Sequence, residues 1–139
     1  MKTKISSLFG LFLIGLILGC GDSSIVPVSG IVTMDGEPEQ GIKVVFMPLP
    51  VGDNLSPGPY SKGYTDENGA FVLETRHGKT GAIVGPHQVS FVYLQHGPGS
   101  EDGDREMPAQ YKGDAGFEFE VPSDGNEDVK FELISDEGK

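Results

Sequence analysis

The sequence predicts an all-β fold, a seven-stranded antiparallel β-sandwich with Greek-key connections, preceded by a signal peptide. Three observations carry this. Apolar and polar residues alternate with period two in short runs, the pattern of strands with one buried and one wet face. No segment past residue 20 keeps helical spacing for ten residues. The 21 glycines and 10 prolines supply turns and argue against long helices.

The strands follow in order. Val26 to Met34 ends at Asp35-Gly36, a strong hairpin pair. Gly41 to Met47 is the second, Ser61 to Thr65 a short third and Ala70 to Thr75 a fourth. His87 to Leu94 is the fifth, with Pro86 at its start, where a missing donor does least harm. Phe117 to Val121 and Val129 to Leu133 complete the set. In these two the alternation is cleanest: Phe117, Phe119 and Val121 oppose Glu118 and Glu120, and Val129, Phe131 and Leu133 oppose Lys130 and Glu132. Two connections are long, Pro48 to Tyr60 and Gln95 to Gly116.

The first twenty residues stand apart. Lys2 and Lys4 precede an uncharged run from Leu8 to Leu18. A bilayer core of about 30 Å needs roughly 20 apolar residues, so this run is too short to span. A basic start and a short apolar stretch form a secretory signal instead. Ile17-Leu18-Gly19-Cys20 resembles the lipobox of bacterial lipoproteins, in which the cysteine takes diacylglycerol and becomes the new N-terminus. Cys20 is the only cysteine, so no intramolecular disulfide is available to it. The expected organisation is a leader at 1–19, a lipid-anchored tether at 20–25 and one β-sandwich domain at 26–139. The membrane is thus a partner through the anchor, and the domain lies outside the cytoplasm, in the periplasm, on the outer membrane or at the cell surface.

Setting Lys2 and Lys4 aside leaves 8 basic against 21 acidic residues, a net charge of −13. Phosphate backbones repel such a chain, which argues against nucleic-acid binding.

The ordered series "PVSGIVTMDGEPEQGIKVVFMP", "GYTDENGAFVLET", "GAIVGPHQVSFVY", "MPAQY" and "FEFEVPSDG…VKFEL" resembles small bacterial lipoproteins with a transthyretin-like or carboxypeptidase-regulatory-like domain. The resemblance implies a prealbumin-like sandwich, with no established activity for most members. Hydroxyisourate hydrolases of similar fold end in Tyr-Arg-Gly-Ser. This chain ends Ser-Asp-Glu-Gly-Lys, and its Tyr111-Lys112-Gly113-Asp114 lies inside a loop. Intradiol dioxygenases of similar architecture hold iron with two tyrosines and two histidines. The spacing of Tyr60, Tyr64, Tyr93, Tyr111, His77, His87 and His96 matches no such set.

Four oxygen-bearing side chains, Thr65 to Asn68, suggest a cation loop at first sight. An EF-hand needs an oxygen ligand at its fifth position and glycine at its sixth. Counted from Asp66 these are Ala70 and Phe71. A hairpin turn fits better, since Asp66 accepts local backbone bonds and Asn68-Gly69 tolerates positive φ. The remaining metal candidates are Asp102, Asp104 and Glu106, alternating carboxylates suited to Ca²⁺, against the plainer reading of a solvated acidic loop. His77, His87 and His96 flank strand ends, where a sandwich could gather them for zinc or catalysis. No Gly-x-Ser-x-Gly elbow and no phosphate-binding Gly-x-x-x-x-Gly-Lys loop occurs.

The expected function is a non-enzymatic, lipid-anchored envelope module that binds a protein or glycan partner or serves a structural role, with no cofactor. The alternative is a metal-dependent (Ca or Zn) or hydrolytic module built from loop carboxylates and histidines.

Overall fold

A computed structural model describes residues 24–96 and 105–136. The leader, Cys20, Asp102 and Asp104 lie outside the described residues. Eleven strands follow in order: β1 (Ile25–Val26), β2 (Val28–Met34), β3 (Glu37–Pro38), β4 (Ile42–Pro48), β5 (Ser61–Tyr64), β6 (Ala70–Val72), β7 (Glu74–Thr75), β8 (Ala82–Ile83), β9 (Gly85–Tyr93), β10 (Phe117–Val121) and β11 (Asn126–Leu133). The only helical segments among the described residues are two 3₁₀ turns, Ala109–Tyr111 and Gly113–Ala115.

The alternation in sequence becomes two main sheets sharing one core, beside a two-stranded β1–β8 ladder. A five-stranded antiparallel sheet runs β10-β9-β4-β5-β7. In the second sheet β2 lies between β11 on one side and β3 with β6 on the other. Successive side chains of a strand point to opposite faces. The inward sets are therefore Val28, Val32 and Met34 of β2, Val129, Phe131 and Leu133 of β11, Ile42, Val44 and Phe46 of β4, and Val89, Phe91 and Tyr93 of β9. Phe131 joins the layers. Its ring stacks on Phe117 at 5.8 Å and Phe71 at 6.2 Å, and meets Phe91 edge-on at 5.1 Å.

Asp35 and Gly36 both take positive φ, 53° and 86°, and close the β2–β3 hairpin that Asp-Gly predicts. Three features depart from expectation. First, β2 and β11 pair in parallel, with Phe131 opposite Val32 and Leu133 opposite Met34. Alternation reports which face is buried, but not which way a neighbour runs. Glycine is required at residue 30, where any Cβ would run into the Val129 carbonyl.

Second, the strand expected at Ala70 to Thr75 divides between the sheets. β6 pairs with β2, whereas β7 pairs with β5. The turn at Asp66–Gly69 is thus no simple hairpin; it carries the chain from one sheet to the other. Asp66 Oδ1 accepts from the Asn68 and Ala70 amides, both at 2.9 Å. Only Gly69 takes positive φ here (71°), and a Cβ on it would strike the Val32 carbonyl. Gly69→Ala should lose about 1–3 kcal/mol of stability, read as a lower urea midpoint with an unchanged m-value.

Third, the second half of the long 95–116 connection is packed down. Met107 and Tyr111 are buried, and the Tyr111 hydroxyl accepts from the Ile134 amide at 3.1 Å.

Candidate functional site

The strand order gives the sandwich two poles. At the first, Ser24, β8, the start of β9 and the end of β4 meet: Val84 N–H donates to the Ser24 carbonyl at 3.0 Å, and Leu49 N–H to Pro86 at 2.9 Å. At the second, the β2–β3 turn, the start of β4 and the end of β9 meet, since Ile42 pairs with Tyr93.

The second pole carries the candidate site. Two adjoining clefts of about 420 and 400 Å³ share Tyr93, Arg105 and Glu106. Tyr93 closes β9 with its ring buried, and Glu39 follows β3. Arg105 reaches both. Its Nη2 pairs with Glu39 Oε1 at 2.6 Å and donates to the Tyr93 hydroxyl at 3.0 Å, with the guanidinium 4.5 Å from the Tyr93 ring centroid. Such a charge held by a carboxylate, a hydroxyl and a ring face is fixed in orientation. Burial, joined by the charge of Glu39 and opposed by Arg105, pushes the Tyr93 hydroxyl above its ordinary range. Burial alone would lower the Arg105 pKa, but Glu39 and Tyr93 outweigh it and raise the value.

The rim is acidic. Asp35 accepts from the Ser135 hydroxyl at 2.6 Å and the Ser135 amide at 3.0 Å, and these bonds hold its carboxyl below the usual range. Glu106, pairing with Lys112, is lowered for the same kind of reason. Asp136 lies beside them. The clefts thus carry two cations, Arg105 and Lys112, each paired with a carboxylate, several acceptors and the largely buried Tyr93 ring. Ser135 is bonded to the Asp35 carboxylate, and no histidine lines either cleft among the described residues.

Of the residues singled out in sequence, Glu106 stands at this rim, while Asp102 and Asp104 lie outside the described residues. The histidines do not gather at one pole. His77 is exposed in the turn after β7, at the first pole; His96 is exposed beyond β9, at the second. His87, near the start of β9, is turned into the core. Among the described residues no three His, Cys, Asp or Glu side chains stand at metal-binding spacing. Glu39 and Arg105 were not legible as site residues, because only tertiary structure brings positions 39, 93 and 105 together. A slight signal existed, since Arg105 is one of two arginines in an acidic chain.

His87 has a consequence for stability. With Nδ1–H directed at the Gly85 carbonyl (2.9 Å), Nε2 is left buried with no partner among the described residues, near the Phe46 ring. Burial lowers its pKa, against the opposing pull of the Gly85 carbonyl and Glu120. The unfolded chain therefore binds this proton first. His87 withholds no stability above about pH 6.5, and stability declines as pH falls from there toward the folded value, by at most ~1.4 kcal/mol per pH unit. Urea titrations at pH 7 and 5 should show this loss, and His87→Phe should reduce it; identical losses in the two proteins would refute the assignment.

No family model matches the chain, and no curated protein and no solved structure matches it.

Proposed function

We propose that this chain is a non-enzymatic, lipid-anchored module outside the cytoplasm that binds an envelope protein or glycan through the cleft around Arg105. The observation that carries the reading is the separation of the two poles. Ser24, the described residue nearest Cys20, is fixed to Val84 at one pole, and Arg105, Glu39 and Tyr93 lie at the other. A domain held through Cys20 then turns its cleft away from the membrane, toward partners. Carboxylates, a guanidinium and an aromatic wall suit the hydroxyls of a glycan or the polar side chains of a protein. The order of the long strands, and the pairing of the first with the last, support the finer reading of a seven-stranded Greek-key sandwich of the prealbumin kind.

Photo-crosslinking in living cells tests the reading. A crosslinking side chain in place of Gln95, at the cleft, should give discrete adducts that weaken when Arg105→Ala is added. The same group in place of Arg76, at the tether pole, should give none of these adducts. Equal adduct patterns at both positions would remove the cleft from the argument.

A further inference from the structure

We infer that the loop between β4 and β5 is a second membrane contact, touching the lipid surface through Leu55 and Val51 beside the anchor. The inference rests on the reading of Cys20 as the anchored residue.

The loop sits where the tether leaves the domain. Ile25 pairs with Ile83 in the β1–β8 ladder, and the loop packs on the same Ile83 side chain at Gly58. A groove of about 340 Å³ joins the two, lined by Pro48, Val51, Pro57, Ile83 and Pro86. Between Cys20 and Ser24 lie four peptide steps. At about 3.5 Å each, even an extended tether holds this pole within roughly 14 Å of the acylated cysteine. The anchor thus brings this surface, and no other end of the sandwich, up to the bilayer.

The loop presents apolar tips there. Leu55 is 83% exposed and Val51 59% exposed. Neither tip needs ordering on contact. The Asn54 amide donates to the Val51 carbonyl at 3.1 Å, and Asn54 Oδ1 accepts from the Ser56 amide at 3.1 Å. Asp53 is the single charged residue from Pro48 to Tyr60, so the tip itself resists a neutral headgroup layer little. Two apolar side chains are too small an area to bind a free domain to lipid. Tethering changes this, because the second contact becomes intramolecular at an effective concentration on the order of millimolar. The partner is a neutral lipid surface, since the strongly acidic domain is repelled by anionic headgroups.

The chain has no tryptophan, so Leu55→Trp introduces a single fluorophore of the kind that settles at lipid interfaces. The protein is made from the full chain in a bacterial membrane, purified, and reconstituted into phosphatidylcholine vesicles. Leu55→Trp, and Val51→Trp as a second reporter, should emit at shorter wavelength than Ile134→Trp at the opposite pole and be quenched by brominated lipid. Ile134→Trp should stay unquenched. Phosphatidylglycerol vesicles should weaken the quenching at low salt. Equal quenching at both poles, or none at either, overturns the contact. The mass of the Cys20 peptide separates the two readings: an acylated chain with an unquenched loop overturns the contact alone, whereas a chain without acyl mass overturns both.

Discussion

Phe131→Ala should lower the unfolding free energy by about 3–5 kcal/mol, the usual loss for removing a buried phenyl ring. Phe131 lies in the middle of β11 with 7% of its surface exposed. Five other phenylalanines meet it within 6.2 Å between ring centroids: Phe46, Phe71, Phe91, Phe117 and Phe119. Four of these, Phe46, Phe91, Phe117 and Phe119, reach it from the five-stranded sheet, so the cavity would open between the layers. Domains of this size have total stabilities of about 5–15 kcal/mol, so the variant would be partly unfolded or close to it. Phe117 is the internal control. It stacks on the same ring but is 38% exposed on edge strand β10. Phe117→Ala should cost about 1–2 kcal/mol, in line with its smaller buried area. Urea unfolding followed by far-ultraviolet circular dichroism measures both. Equal losses in the two variants would mean that Phe131 is not the link between the sheets.

The second large effect concerns location. Cys20→Ser should move the mature protein from the membrane fraction to the soluble fraction and remove the acyl mass from its N-terminal peptide. The apolar run ahead of Cys20 is too short to span a bilayer. Several acyl chains, at about 0.8 kcal/mol per buried CH₂, hold a protein almost permanently. Leu55 and Val51 cannot replace them, because their contact depends on the tether. Detergent phase separation of cell extracts reads the outcome. A serine variant that remains in the detergent phase would show that something other than Cys20 holds the chain.

Strand positions were the legible part of this fold. β2, β4, β9 and β11 occupy runs whose alternation is plain, because each buries one face and leaves the other more exposed; β10 alternates as plainly in sequence but, at the sheet edge, fully buries only Val121. The Asp35-Gly36 turn was legible because few residue pairs accept positive φ twice in succession. Neighbour relations were not. Nothing local in Ala70 to Thr75 says that its first half bonds to β2 and its second half to β5. The short strands β3 and β8 carry too few residues to show a period. The cleft was the least legible feature, since Glu39, Tyr93 and Arg105 acquire their relation only when β3, β9 and the limb after the acidic loop converge. His87 was visible as a histidine at a strand start; its inward direction follows from the phase it shares with Val89 and Phe91.

The parallel alignment of β2 and β11 has a mechanical meaning. β2 leaves the first pole and β11 ends at the opposite one, with six residue pairs aligned between them from Val28–Asn126 to Met34–Leu133. With the chain held at the first pole and a partner bound at the second, as proposed above, a pull between them would act along both strands in opposite senses. Their backbone bonds lie across that line, so the load falls on all of them together rather than on one end at a time. Under such a pull the pair would be loaded in shear, and the Gly30–Val129 close approach lies within the seam that would carry the force.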